Sequence, residues 1–161
     1  MSPEQCKVAD WGVVGLRDGQ VGAPLGLLDT RSKDCAKVGV QVLAQPYLQG
    51  REVGLQSYCQ LGNAAREGLA GHDYAHVCPL PMDAEFQRRW QVGLNVFGAR
   101  QNLSLLERRR RNLEWRLRDA TSDDERFRIR NELFELDMRF RFARDTLRDA
   151  LDALNALNQL K

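Results

Sequence analysis

Residues 129–157 read IRNELFELDMRFRFARDTLRDALDALNAL, and their apolar spacing decides the fold. Ile129, Leu133, Leu136, Phe140, Ala143, Leu147, Ala150, Leu154 and Leu157 alternate steps of four and three, a heptad repeat that marks one seam of a long helix. The preceding segment repeats the spacing at Val92, Val96, Ala99, Leu103, Leu106, Arg110, Leu113, Leu117 and Ala120, with a single charged residue in the seam. Between the two lies Thr121-Ser122-Asp123-Asp124-Glu125, where Ser122 and Glu125 have capping-box spacing and the acids suit a helix N-terminus. Residues 83–161 are therefore expected to form an antiparallel helical hairpin with its turn near 120–124. No proline follows Pro81, so each arm can extend on the order of 50 Å.

Residues 1–82 differ in texture, holding 11 of the 13 glycines and all five prolines. They are expected to form a small, glycine-rich helical domain, so the predicted class is all-α. Gly12, Gly15, Gly19, Gly22 and Gly26 step by three and four, which on a helix makes a bare stripe suited to close packing. Asp10 to Val21 is read as that helix, with a glycine-rich loop as the alternative. Gly22 to Asp29 is expected to be a turn or loop, Thr30 to Lys37 a short helix behind a Thr cap, and Pro46 the opening of a helix reaching Cys59. Trp11, Gly15, Gly19 and Tyr47, Gly50, Gly54 present the same pattern twice, with weaker echoes at Leu61, Ala64, Gly68 and at Phe86, Arg89, Gly93. This is either one helical unit reused or small residues filling a tight core. His72 to Pro81 reads as non-helical. Phe86, Trp90, Gly93 and Phe97 form a stripe apart from the heptad seam, suited to burying the root of the first arm against the small domain.

Composition excludes several functions. The net charge is +2, and on either side of Met82 basic and acidic residues count 7 against 8 and 17 against 14, so neither part has the field of a nucleic-acid binder. Arg108 to Arg111 spread around the helix circumference instead of forming a patch. Arg110 is expected to face Leu136, neutralised by Glu132 or Glu135. His72, His76 and Asp73 have metal-ligand chemistry, but their glycine- and proline-flanked segment argues for a surface loop. No cofactor, metal or catalytic residue is implied, and the chain is read as non-enzymatic.

Cys6, Cys35, Cys59 and Cys78 lie within the first 78 residues at gaps too long for a CxxC pair. They suit an oxidised framework, with buried free thiols as the alternative. The pairs Cys6 with Cys35 and Cys59 with Cys78 are favoured, because the ends of successive short helices are nearest neighbours in a compact bundle. Asp18, Arg51 and Asn63 are the polar residues set among the glycines, either lining a ligand groove or bonding helices together. Leu105, Trp115, Phe134, Met138 and Phe142 fall outside the seam and are expected to stay exposed on a lone hairpin as a contact face.

Cys6 to Trp11, Gly15, Asp18-Gly19, Gly22, Arg31, Cys35, Tyr47, Gly50, Gly54-Leu55, Tyr58-Cys59, Asn63, Gly68, Gly71, Tyr74 and Val77-Cys78-Pro79 together resemble the YfiL-like family of small bacterial envelope proteins, a domain of unknown function, over about residues 4–80. The resemblance implies a bacterial periplasmic location with a lipoprotein anchor in the precursor; the start Met-Ser-Pro-Glu-Gln shows neither signal peptide nor lipidated cysteine. It implies no activity. The expected role is a non-enzymatic envelope protein whose hairpin associates with itself or with an envelope partner. The alternatives are a ligand- or cell-wall-binding module in the glycine-rich part, and a cytoplasmic coiled-coil adaptor with reduced thiols.

Overall fold

The computed structural model describes residues 1–159 of the 161-residue chain. The expected second region runs to residue 161, so its last two residues lie outside the described ones. Seven helices occur among the described residues: α1 Pro3–Lys7, α2 Trp11–Gln20, α3 Leu27–Ala36, α4 Ala44–Tyr58, α5 Leu61–Leu69, α6 Leu80–Asp119 and α7 Asp123–Gln159. The fold is all-α, with two disulfides in the N-terminal part and a long α6–α7 hairpin.

Contacts divide the chain into two compact units. The first comprises Met1–Glu67 and His72–Trp90, the second Gly68–Gly71 and Gln91–Lys161. The division falls inside α6, beyond Met82, because Phe86 is fully buried and Trp90 packs with it in a first-unit cluster formed by Tyr58, Cys59, Ala64, Tyr74 and Cys78. The Trp90 indole N–H also donates to the His72 carbonyl at 2.8 Å.

In the first unit, the Asp10 carboxylate caps α2 by accepting from the Val13 amide at 3.1 Å, so the helical reading of this stretch holds. Its glycines meet those of α4 at backbone distance. A Cβ added at Gly15 would collide with the Tyr47 carbonyl, one at Gly19 with the Arg51 carbonyl, one at Gly50 with the Gly12 carbonyl and one at Gly54 with the Leu16 carbonyl. Contacts advance together along both helices, so α2 and α4 run in the same direction, each supplying a small-xxx-small face to the other. The two matching sequence patterns are the two halves of this crossing. At such proximity Cα–H groups meet carbonyls, which adds weak polar attraction to the dispersion gained.

Two local expectations are corrected. α3 starts at Leu27, not behind Thr30: the turns Leu27 N–H to Pro24 O and Leu28 N–H to Leu25 O start the helix. Thr30 lies in its first turn and donates its hydroxyl to the Gly26 carbonyl at 3.4 Å. α4 starts at Ala44, two residues before Pro46, which still falls in the first turn, where a missing N–H costs nothing.

The disulfides join Cys6 to Cys35 and Cys59 to Cys78. Each sits in its own apolar cluster, the former with Trp11 and Tyr47, the latter with Tyr58, Tyr74 and Phe86.

In the second unit, Leu113, Ala120, Ile129, Leu136 and Phe140 form the buried seam, with Leu103, Leu106, Leu117 and Leu133 packed against it. Ser122 Oγ accepts from the Glu125 amide at 3.2 Å, so the chain turns where its capping residues stand. Arg110 corrects its expected partner. Its guanidinium leaves the seam, is half exposed, and donates to Glu114 on its own helix at 2.8 Å, while Arg109 is the residue that reaches Glu132, at 3.8 Å.

Candidate functional site

Asp18 is buried on α2 and serves as the polar hub of the first unit. Arg31 on α3 grips it with two nitrogens, at 2.6 and 3.0 Å, and the Tyr47 hydroxyl on α4 donates to its second oxygen at 2.8 Å. One carboxylate thus ties three helices, and its acceptor capacity is largely used. Burial first, and then the bond to Asp18, push the Tyr47 phenol up to about 12. A cleft of about 410 Å³ opens beside this hub, lined by Val8, Val13, Val14 and Arg17 together with Asp18 and Arg31.

Arg51 and Asn63 also do structural work. Arg51 Nη2 donates to the Ala23 carbonyl at 2.7 Å, holding the loop after α2, while its buried Nε has no partner. Asn63 Nδ2 donates to the Tyr58 carbonyl at 2.9 Å, and its Oδ1 accepts twice from Arg66, at 2.6 and 3.1 Å. Asp18, Arg51 and Asn63 therefore do not converge on one groove: the first two serve the α2–α4 region, whereas Asn63 joins the end of α4 to α5.

His72 and His76 point to different carboxylates, Glu67 at 3.0 Å and Asp83 at 3.3 Å. Asp83 also accepts from the Tyr74 hydroxyl at 2.6 Å, and this bond is the main cause holding its carboxyl below the usual range. Among the described residues no cluster of three or more metal-ligating side chains occurs. No cysteine is free, so no thiol is available as a nucleophile.

The hairpin presents the larger feature. Phe127, Phe134, Met138 and Phe142 are 65, 71, 54 and 75% exposed. At about 100° per residue they fall within an arc of roughly 80° on α7, on the side opposite the seam. Phe127 extends the stripe by one heptad and escapes the sequence reading, although its distance from Phe134 carries the signal. Leu105 and Trp115 are about half exposed on α6 but do not share one face, since ten residues separate them by about 15 Å and turn them about 80° apart. Met138 and Phe142 line a shallow groove of about 400 Å³ with Asn102, Leu106 and Arg139.

No curated protein matches this chain, and no solved structure does. A family model described as "Protein of unknown function (DUF2799)" matches residues 10–95. The match runs from the cap of α2 through the glycine crossing, both tyrosine clusters and the root of α6, leaving out Cys6 and most of the hairpin. It spans more than half of the sequence, and the chain belongs to the DUF2799 family.

Proposed function

We propose that this chain is a non-enzymatic interaction protein of the bacterial envelope, with the first unit as a disulfide-held base and the hairpin as the docking element. The observation that carries the reading is the outer stripe of α7. Three phenylalanines and a methionine on one face of a helix expose roughly 500 Å² of apolar surface, at the upper end of what a monomer leaves open and of a size that is often functional. Two disulfides favour an oxidising compartment. The resemblance to envelope lipoproteins agrees, with attachment through a lipid on the precursor, and no described helix is long and apolar enough to cross a membrane. A ligand-binding role for the cleft beside Asp18 has less support, because Asp18 is already bound by Arg31 and Tyr47.

The test is photocrosslinking in intact cells from a benzoylphenylalanine at position 134, with one at Glu107 as control and adducts identified by mass spectrometry. A single discrete adduct from position 134 and none from the control is expected. No adduct from 134, or the same smear from both positions, defeats the docking reading. Thiol alkylation before lysis checks the compartment: four unreactive cysteines are expected, and free thiols place the chain in a reducing one.

A further inference from the structure

The outer face of α7 is self-complementary, and we infer that its occupant is a second copy of this chain, paired antiparallel about a two-fold axis at Met138. The inference rests on the docking reading above and names the partner. An isologous contact sets residues equally spaced from the axis against each other. Phe134 and Phe142 stand four residues to either side of Met138, so Phe134 of each copy meets Phe142 of the other and the methionines meet at the centre. Methionine suits that place, since its flexible thioether fills the space that two phenylalanine pairs leave.

Charge is compatible with this register. Antiparallel helices bring like flanks together, and the flanking residues of the stripe match oppositely charged ones within about one residue of the same axis. On one flank Glu135 comes beside Arg139 of the second copy; Asp149 falls on the stripe itself, opposite Phe127. On the other flank Asp137 comes beside Arg141. Each pair occurs twice by symmetry. None of these four side chains forms an ion pair within the chain among the described residues. Arg130 comes beside Arg148 of the second copy, and Arg148 is already neutralised by its own Asp145. Two copies cover Phe134, Met138 and Phe142, at most roughly 800 Å² of apolar surface before the flanks are added, the size of a weak, concentration-dependent contact. Around this face Arg128, Arg130, Arg139, Arg141 and Arg148 stand against Glu135, Asp137, Asp145 and Asp149, close to balance, so little draws it to an anionic lipid surface.

The test is sedimentation equilibrium of the full chain from low to high micromolar concentration. The wild-type chain is expected to show a monomer–dimer equilibrium that Met138→Arg weakens at least tenfold. Glu135→Arg and Arg139→Glu are each expected to weaken association alone, because each sets like charges together. Mixed in equal amounts, the two variants restore it as a heterodimer, since one then carries arginine at both positions, the other glutamate at both, and each arginine faces an acid. All three substituted positions are exposed, and helical circular dichroism confirms folding. A wild-type chain that stays monomeric throughout overturns the inference, as does a mixture no tighter than its components. A monomeric chain that still crosslinks from position 134 to a different protein defeats self-pairing and leaves the docking reading standing; absence of any adduct defeats both.

Discussion

The hydroxyl of Tyr47 donates to the buried carboxylate of Asp18 across 29 residues of sequence, at 2.8 Å. Removing it by Tyr47→Phe leaves Asp18 with its two Arg31 bonds and is expected to cost about 1–2 kcal/mol in urea unfolding. Arg31→Ala is expected to cost more, about 3–5 kcal/mol, because it leaves a buried carboxylate without its counter-charge. Equal costs for the two variants would show that the ion pair is not the stronger part of the hub.

The buried tyrosines set the alkaline limit. Tyr47 and Tyr58 are held at about 12 against an ordinary value of 10.0, in both cases mainly by burial. Between those values the unfolded chain gives up phenolic protons that the folded chain keeps, so stability is full below pH 10 and falls as pH rises toward 12. Tyrosinate absorbance and loss of helix are expected to rise together in this window. In Tyr47→Phe the fall should be shallower; an unchanged slope would exclude Tyr47 as a contributor.

Glycine-to-alanine substitutions should split sharply. Gly15→Ala and Gly50→Ala put a methyl into backbone that no rotamer change can move aside, and a loss of about 3 kcal/mol or more is expected. Gly62→Ala in α5 meets nothing within 4 Å and should gain about 0.5–1 kcal/mol through helix propensity. Similar melting temperatures for Gly15→Ala and Gly62→Ala would contradict the crossing.

Arg110→Leu is expected to raise the hairpin's melting temperature modestly. The substitution loses an exposed, solvent-screened same-helix pair of small value and gains an apolar residue in line with the seam. A lower melting temperature would mean that the exposed arginine contributes more than this.

Replacing Cys59 and Cys78 with serine opens a loop of 19 residues and is expected to cost about 3 kcal/mol. The loss should be confined to the first unit, so thermal unfolding by circular dichroism should resolve into two steps, with the hairpin melting in the second. A single step lowered as a whole would mean that the units unfold together.

The parts of this architecture that repeat along one helix are legible in the sequence. Heptads announce the hairpin, Ser122 announces its turn, and paired glycine patterns announce the crossing, because each signal lies within one element. Contacts joining three elements are not legible. Nothing in the spacing of Asp18, Arg31 and Tyr47 says that they meet, since each stands on a different helix. Asp18 reads as either a groove residue or a helix-bonding one for the same reason. The start of α3 is obscured because a Thr cap and a proline-initiated turn compete over five residues, and tertiary placement favours the turn. The division of α6 near Trp90 is legible only in part, because Phe86 and Trp90 announce a buried root while the apolar pattern continues to Phe97 without marking its end, and Phe127 is easily passed over because a search for the seam discounts residues on its far side.

The same offset of thirty-five residues separates Gly15 from Gly50 and Gly19 from Gly54. Because main chain meets main chain there, the crossing works as a ruler that leaves little freedom in the chain between its marks. α3 and its loops must span a fixed gap whatever their composition, and a sequence adopting this base must keep four small residues in that cadence while nearly everything around them changes. A pattern of this kind can be sought in chains too divergent for overall similarity to register, and it would pick them out by a fit between backbones and not by any chemistry of their side chains.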